Sequence, residues 1–204
     1  MNLRIWKLRL ATYTPLWLLI HQRYEPEVWR EISEITGELA VDVGANLGQY
    51  TIPLAKKFGR VIAVEPLANN LKILRANLRR CCIHNVEIQE RAVADFNGEV
   101  KLHQDLNYPV NAAISNNGQP YPVTTLDKLL RNEITVDLVK VDVEGSEWQV
   151  FRGADTTMPR IRRWLIEVHD ASRADEFDSM LDSRGYKRQW ITHSKRLPHV
   201  LAYR

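Results

Sequence analysis

The sequence predicts a doubly wound α/β domain, in which helices cover both faces of one seven-stranded, mostly parallel sheet whose last strand runs antiparallel. Three observations carry this. Short β-branched runs alternate with longer stretches of helical spacing, so successive strands are joined by crossovers and lie parallel. The 204 residues are 45% hydrophobic and 26% charged, the composition of one globular core that needs neither disulfides nor a structural metal. Near the end of the chain only the stretch up to His199 separates two strand segments. That is too little for a helix, so these two pair as an antiparallel hairpin at one edge.

Residues 1–38 precede the first strand and read as an N-terminal helical extension, leaving 39–204 as the main domain. Ile5, Leu8, Trp17, Leu18 and Trp29 give the extension an apolar face for docking, and Lys7 and Arg9 would equally suit an interfacial membrane helix. The apolar run is broken by Lys7, Arg9 and Pro15 and is too short to span a bilayer, and no A-x-A-like cleavage site follows it. A cytoplasmic protein, peripheral to a membrane at most, is expected. Strands are expected at Leu39 to Val43, Val61 to Glu65, Val86 to Glu90, Val136 to Asp142, Trp164 to Val168, Lys187 to Thr192 and Val200 to Arg204. Helical spacing fills Gln49 to Phe58, Leu67 to Leu78, Glu147 to Ala154 and Arg173 to Ser183. Ser146 with Gln149 three residues on is a capping-box pattern that starts the third of these helices right after Gly145. Between Gln104 and Pro122 the chain is polar, with Asn107, Asn111, Asn116, Asn117 and three prolines, and reads as an irregular lid or substrate loop. Cys81 and Cys82 are adjacent, too close for a relaxed disulfide, and are expected as reduced thiols.

The first strand ends in Asp42, Val43, Gly44, Ala45, Asn46, Leu47 and Gly48, and a helix follows at once. Glycines let the backbone approach a ligand, and a helix N-terminus favours an anionic group. Asn46 and Gln49 stand where the second and third glycines of a dinucleotide fingerprint would be, which weakens a pyrophosphate ligand such as NAD. Asp42 suits an ammonium group and the helix N-terminus a carboxylate. An amino-acid moiety offers both, and S-adenosylmethionine has one. Glu65 ends the second strand 21 residues after Gly44, where Pro66 fixes the turn and aims the carboxylate over the crevice toward vicinal ribose hydroxyls. Arg91 to Asp95, small and apolar around Ala92, would form one wall of an adenine slot.

The fourth expected strand carries charges that rarely enter a sheet interior: Lys140, Asp142, Glu144 and, past Gly145, Glu147. Period-2 geometry puts Lys140 and Asp142 on one face, so an ion pair would keep Asp142 ionised, with Glu144 just beyond the strand end.

Asp42 to Gln49, Glu65 with Pro66, Thr124 to Asp127 before a helix, Lys140 to Glu147 with Gly153 and Ala154 downstream, and Glu167 to His169 together resemble the FkbM family of class I S-adenosylmethionine-dependent methyltransferases. The resemblance runs from Tyr24 to Asp170, and its Lys-x-Asp-x-Glu-Gly-x-Glu pattern is the specific part. It implies a Rossmann-like class I methyltransferase fold and methylation of hydroxyl oxygens on sugars, glycans or natural products. It also implies that Asp42, Gly44, Asn46 and Gly48 hold the methionine end of the cofactor, with Ala45 and Pro66 counted among the cofactor-binding residues. Glu65 then takes the ribose and Ala92 the adenine edge, while Asp142 lies beside the transferred methyl group.

An alcohol acceptor loses its proton as it attacks, and Glu144, Glu167 and His169 all fall near the carboxyl ends of the fourth and fifth strands, where the crevice opens. His169 is favoured as the base, since imidazole accepts a proton near neutral pH. A metal-assisted version would set Asp142, Glu144 and Glu167 around Mg²⁺, a less favoured reading, and no His and Cys cluster has zinc spacing. The net charge of +3 neither requires nor excludes nucleic acid. An RNA methyltransferase would use Arg79, Arg80, Arg160, Arg162, Arg163, Lys187, Arg188, Lys195 and Arg196, but Arg160 to Arg163 lead into the fifth strand and belong at the face opposite the crevice. A non-catalytic nucleotide-binding module is the other competitor, against which the residues from Asp42 to Glu65 speak. His193, Ser194, Lys195 and Arg196 of the final hairpin would give the acceptor pocket a positive charge, suiting a hydroxylated substrate that carries an anionic group.

Overall fold

The computed structural model describes residues 25–104, 112–114, 117–191 and 198–204. The docking residues Ile5, Leu8, Trp17 and Leu18, the asparagines 107, 111 and 116, and the hairpin residues His193 to Arg196 lie outside the described residues.

Pro26 presets the first turn of α1 (Pro26–Glu34), whose Val28 and Ile32 are buried against the sheet. Next come β1 (Gly37–Val43), α2 (Thr51–Ala55), β2 (Phe58–Val64), α3 (Ala68–Arg80) and β3 (Val86–Gln89). β4 (Ala92–Val93), β5 (Gly98–Gln104), β6 (Ala112–Ile114) and β7 (Gln119–Thr124) follow, then α4 (Leu126–Leu129) and β8 (Leu138–Val141). The chain continues through α5 (Glu147–Arg152), β9 (Arg163–Glu167), α6 (Ala174–Ser183), β10 (Lys187–Ile191) and β11 (His199–Tyr203).

Seven of these strands form one sheet in the order β10-β11-β9-β8-β1-β2-β3. The pairs from β9 through β8, β1 and β2 to β3 are parallel, and β11 is antiparallel to both of its neighbours. This is a mixed α/β, Rossmann-like sheet of the class I methyltransferase type. The expected edge hairpin forms, but β11 inserts between β9 and β10, so β10 is the edge and β11 lies inside. The sequence of β11 agrees, with His199, Val200, Leu201 and Ala202 all buried. Leu39 through Val43 and Leu138 through Val141 are buried without alternation, because helices cover both faces. On one face Trp164 stacks on Phe151 at 4.6 Å, with Leu126, Phe177 and Leu181 around them. On the other, Tyr50, Leu54 and Phe58 pack with Val28, Ile32 and Leu165.

Some boundaries differ from the sequence reading. The helix expected over Gln49 to Phe58 is the five-residue α2, because Phe58 already pairs with Gly37 at the start of β2. The strand expected from Val136 starts at Leu138, since Asp137 turns its carboxylate to accept from the Glu38 and Leu39 amides at 2.8 and 3.1 Å. α5 does start behind Ser146, yet that side chain makes no capping bond; Glu147 Oε1 instead accepts from the Gly145 amide at 2.9 Å.

The largest correction concerns Gln104 to Pro122, expected to be irregular. Much of it belongs to a second sheet, ordered β4-β7-β5-β6. Val100 and Leu102 of β5 are buried while Glu99, Lys101 and His103 are exposed, the alternation of a strand with one wet face. β7 pairs with β4 only at Val123 and Thr124, so Pro120 and Pro122 fall where one side of the strand has no partner to receive a donor. Leu67, Ala94, Val100, Leu102 and Val123 form the apolar cluster beneath this small sheet.

Candidate active site

The carboxyl ends of β1, β2 and β8 open onto a cleft of about 730 Å³, counting its mouth, which the small sheet walls on one side. This is the place where open parallel sheets take ligands. Gly44, at φ +84°, sits so close to the end of β8 that a Cβ there would lie 1.7 Å from the Asp142 carbonyl oxygen. Only glycine fits both the backbone and the space. Gly44 and Ala45 each donate an amide to the Val64 carbonyl at 3.0 Å, which fixes the loop against β2. Gly48 serves packing instead: a Cβ there would lie 2.8 Å from Leu74 Cδ1 of α3.

Gly44 and Asn46 line the cleft, as do Glu65, Pro66, Ala92, Asp142 and Glu144. Asn46 adopts a left-handed backbone, φ +49°, and donates its amide to Glu65 Oε2 at 2.9 Å. Glu65 Oε1 accepts from the Leu67 amide at 2.9 Å and from Asn70 Nδ2 at 3.1 Å. Glu65 thus ties the β1 and β2 loops together at the cleft wall. Burial pushes its carboxyl up to about 7 in spite of these three donors.

Asp42, Ala45 and Gly48 lie outside the cleft lining. Asp42 is fully buried, accepts from Thr51 Oγ1 at 2.5 Å and faces Lys140 Nζ at 3.9 Å. Its carboxylate therefore turns to Lys140 and Thr51 and away from the crevice. Burial raises its carboxyl although Lys140 opposes the shift. Lys140, itself buried, lies 3.0 Å from Asp142 Oδ2 and 4.3 Å from the centre of the Tyr50 ring. The same-face pair expected from strand periodicity is present. Burial alone would raise Asp142, but Lys140 outweighs it and holds this carboxyl below the usual aspartate value.

Beyond β8 the backbone turns left-handed at Glu144, φ +51°, and Gly145, φ +96°. That turn brings the Glu144 carboxylate back beside Asp142, where His169 meets both: His169 Nε2 lies 3.4 Å from Glu144 Oε2 and 4.0 Å from Asp142 Oδ1. Its other nitrogen, Nδ1, lies 2.8 Å from Glu147 Oε1, a buried carboxylate. Burial by itself would lower the imidazole, yet Glu144 and Glu147 raise it to about 10. His169 is then an imidazolium at neutral pH, with no lone pair to accept a proton. The general-base role expected for it does not fit this setting. Glu167 stands apart, 3.7 Å from His199 Nε2, and its oxygen groups with Glu25 and His199; burial pushes its carboxyl up to about 8. The Asp142, Glu144 and Glu167 set expected for Mg²⁺ is not assembled, because His169 takes the place assigned to Glu167.

Glu147 and His199 carry parts of this site that sequence reasoning left without a role. Glu147 closes the Lys-x-Asp-x-Glu-Gly-x-Glu pattern, and that charge at the start of an amphipathic helix was the available signal. His199 had a signal too, as the one polar residue in an otherwise apolar strand end. The basic cluster is occupied elsewhere. Arg162 pairs with Asp137 at 2.8 Å, and Arg160 donates to the Leu130 and Glu133 carbonyls at the end of the sheet opposite the cleft.

Residues 42–188 match the family model of the methyltransferase FkbM domain. The chain belongs to the FkbM methyltransferase family. No curated protein matches this FkbM chain in sequence. Among solved structures it resembles an FkbM methyltransferase from Methylobacillus flagellatus KT at 21% identity and TM-score 0.64, covering 82% of this chain and 44% of that one. The chain thus spans less than half the length of that relative. An rRNA methylase from Streptococcus thermophilus superposes with TM-score 0.57 at 14% identity, covering 85% of this chain and 91% of that one. A putative methyltransferase from Streptococcus mutans, solved with S-adenosylhomocysteine (SAH), gives TM-score 0.59 at 11% identity, covering 88% and 98%. At these identities the likeness shows a shared class I fold.

Proposed function

We propose that this chain is an S-adenosylmethionine-dependent O-methyltransferase acting on a hydroxyl of a sugar, glycan or natural-product-like small molecule. The observation that carries the reading is the cleft. Its lining combines the loop residues Gly44 and Asn46, the Glu65 carboxylate, an apolar slot of Leu67, Ala92, Leu102 and Val123, and the carboxylates of Asp142 and Glu144. Glu65 would receive ribose hydroxyls on its remaining lone pairs, the apolar slot would take the base, and Gly44 and Asn46 the amino-acid end. Bound there, the cofactor supplies an electrophilic methyl group on a sulfonium.

The residues around Asp142 deal with the acceptor. Displacement at a methyl group gains chiefly from alignment, because charge disappears in the transition state. Glu144 accepts a hydrogen bond from the acceptor hydroxyl, orients its oxygen and takes its proton as that oxygen gains the methyl group. Asp142, held ionised by Lys140, stands beside it in the cleft. His169, charged and braced by Glu147, fixes Glu144 in place.

Several observations support a small-molecule acceptor over RNA. The arginines that lead into β9 are committed to Asp137 and to backbone carbonyls, far from the cleft. The likeness to an rRNA methylase is one of fold alone. An anionic group on the acceptor remains part of the proposal through Lys195 and Arg196. Among the described residues no helix is long and apolar enough to cross a membrane, and Cys81 and Cys82 are free, which agrees with a cytoplasmic setting. Calorimetric titration with S-adenosylmethionine and with NAD tests the cofactor: saturable binding of the first alone is expected, and binding of NAD alone would overturn the reading. A tritiated-methyl screen across glycans, small alcohols and tRNA tests the acceptor, and label appearing only in tRNA would replace the small-molecule assignment.

A further inference from the structure

The ring of His169 is held asymmetrically. On one side Nδ1 is at hydrogen-bond distance, 2.8 Å, from Glu147 Oε1, and that carboxylate is buried and anchored by the Gly145 amide. On the other side Nε2 faces two carboxylate oxygens at 3.4 and 4.0 Å, beyond the range of a good N–H···O bond. Two ligands each about 2.1 Å from one cation, at right angles or wider, lie roughly 3.0–4.2 Å apart. The Nε2 side is therefore spaced for an ion where the Nδ1 side is spaced for a proton. One nitrogen of the imidazole and one oxygen each from Asp142 and Glu144 all lie within 4.8 Å of one another.

The Glu147 contact is the second part of the argument, since it comes from outside the ligand set. A metal-bound histidine usually donates its other ring N–H to a carboxylate, which fixes the tautomer and aims the free nitrogen at the ion. Glu147 does this for His169, whose Nε2 proton is released when an ion takes its place, so the ring is charged without the ion and a neutral ligand with it. Asp142 and Glu144 both line the cleft, so coordination positions not filled by protein would open toward the bound acceptor. We propose that His169 Nε2, Asp142 and Glu144 form a binding site for one divalent first-row transition metal, with Glu147 as the residue that orients His169. The imidazole nitrogen selects such an ion over Mg²⁺, whose preferred ligands are all oxygens. The second cluster, Glu25, Glu167 and His199, lies outside the cleft lining and serves as the control.

The site rests on the side chains alone, while its use rests on the methyl-transfer reading: the open positions would take two adjacent oxygens, such as a vicinal diol, and present one of them to the methyl group. One oxygen of Glu144 would ligate and the other would remain for the acceptor proton.

The test uses chelator-stripped full-length protein in a Cys81→Ser, Cys82→Ser background, so that the thiols do not compete. Zn²⁺ is titrated calorimetrically and Co²⁺ is followed by visible absorption. One equivalent should bind, with affinity at least tenfold lower in His169→Ala, Glu144→Gln and Glu147→Gln, and unchanged in Glu167→Gln. Circular dichroism and melting curves of the metal-free variants check that each folds. Failure of the parent protein to bind either ion, or affinities in the first three variants equal to the parent's, would overturn the site. Loss confined to Glu167→Gln would move it to the other cluster and equally overturn this assignment. Titration of the metal-free protein with S-adenosylmethionine keeps the two readings apart: cofactor binding without metal binding defeats the metal site alone, and no cofactor binding defeats the methyltransferase reading.

Discussion

Replacing Lys140 by methionine keeps most of the side-chain volume and removes the cation that faces Asp42 at 3.9 Å and Asp142 at 3.0 Å. Asp42 is fully buried, with Thr51 Oγ1 on one oxygen and Lys140 at 3.9 Å from the other, so the variant leaves an uncompensated carboxylate in the sheet. Breaking a buried pair in this way costs about 3–5 kcal/mol. For a domain of this size that corresponds to a fall in Tm of roughly 6–20 °C. The cost should depend on pH, and its sign follows from Asp42, whose carboxyl burial already raises in the presence of Lys140. Without Lys140 the folded-state value rises further above the unfolded one. A group raised on folding favours the folded state at low pH and loses that contribution as pH rises through its folded value. Lys140→Met should therefore be mildly destabilised near pH 5 and strongly destabilised near pH 8, and Asp42→Asn added to it should restore part of the loss at pH 8 alone. Urea denaturation at the two pH values, with matched m-values, measures this. An equal loss at both, or none at either, would refute the argument.

Gly44→Ala forces a Cβ to within 1.7 Å of the Asp142 carbonyl oxygen, so the β1 and β8 loops must separate. S-adenosylmethionine affinity should fall at least tenfold by calorimetry on protein that remains folded, and unchanged binding would show that the loops move freely. Glu65→Ala should weaken cofactor binding by about 1–3 kcal/mol, since it removes the acceptor for Asn46, Leu67 and Asn70 at the cleft wall. Glu65→Gln tests a different property: with a folded-state value of about 7 against an ordinary 4.5, the wild type should lose stability as pH rises from about 4.5 to 7, and the variant should lack that slope in urea titrations. Trp164→Ala, at the centre of the larger core cluster, should cost about 3–5 kcal/mol by the same measurement.

The main sheet is legible in the sequence because its strands are covered on both faces and write themselves as unbroken apolar runs, as Leu138 to Val141 do apart from Lys140. Lys140 and Asp142 were readable as a pair because strand periodicity alone puts them on one face. The small sheet was hidden for the opposite reason. β4 has two residues and β6 three, too few to show a period, and the prolines of β7 argue against a strand until its missing neighbour is known. The bond from Glu147 to His169 joins residues 22 positions apart, from the start of α5 to just past β9, and no local pattern encodes it. That one contact reversed the reading of His169, from a neutral base to a charged or metal-bound ring. Glu65 was placed correctly at the end of its strand, but its three protein donors come from two loops whose approach only the folded sheet creates.

The insertion of β11 between β9 and β10 sets an order of opening within the native state. β10 reaches the sheet through β11 and has no other strand beside it among the described residues, whereas β11 is bonded on both sides. β10 can therefore fray while β11 stays, but β11 cannot leave without releasing β10. Amide hydrogen exchange should follow that hierarchy, with protection greatest in β9, intermediate in β11 and least in β10. Because His199 opens β11 and is paired in register with Glu167, the rarer of the two openings uncovers Glu167, while the commoner one leaves it covered.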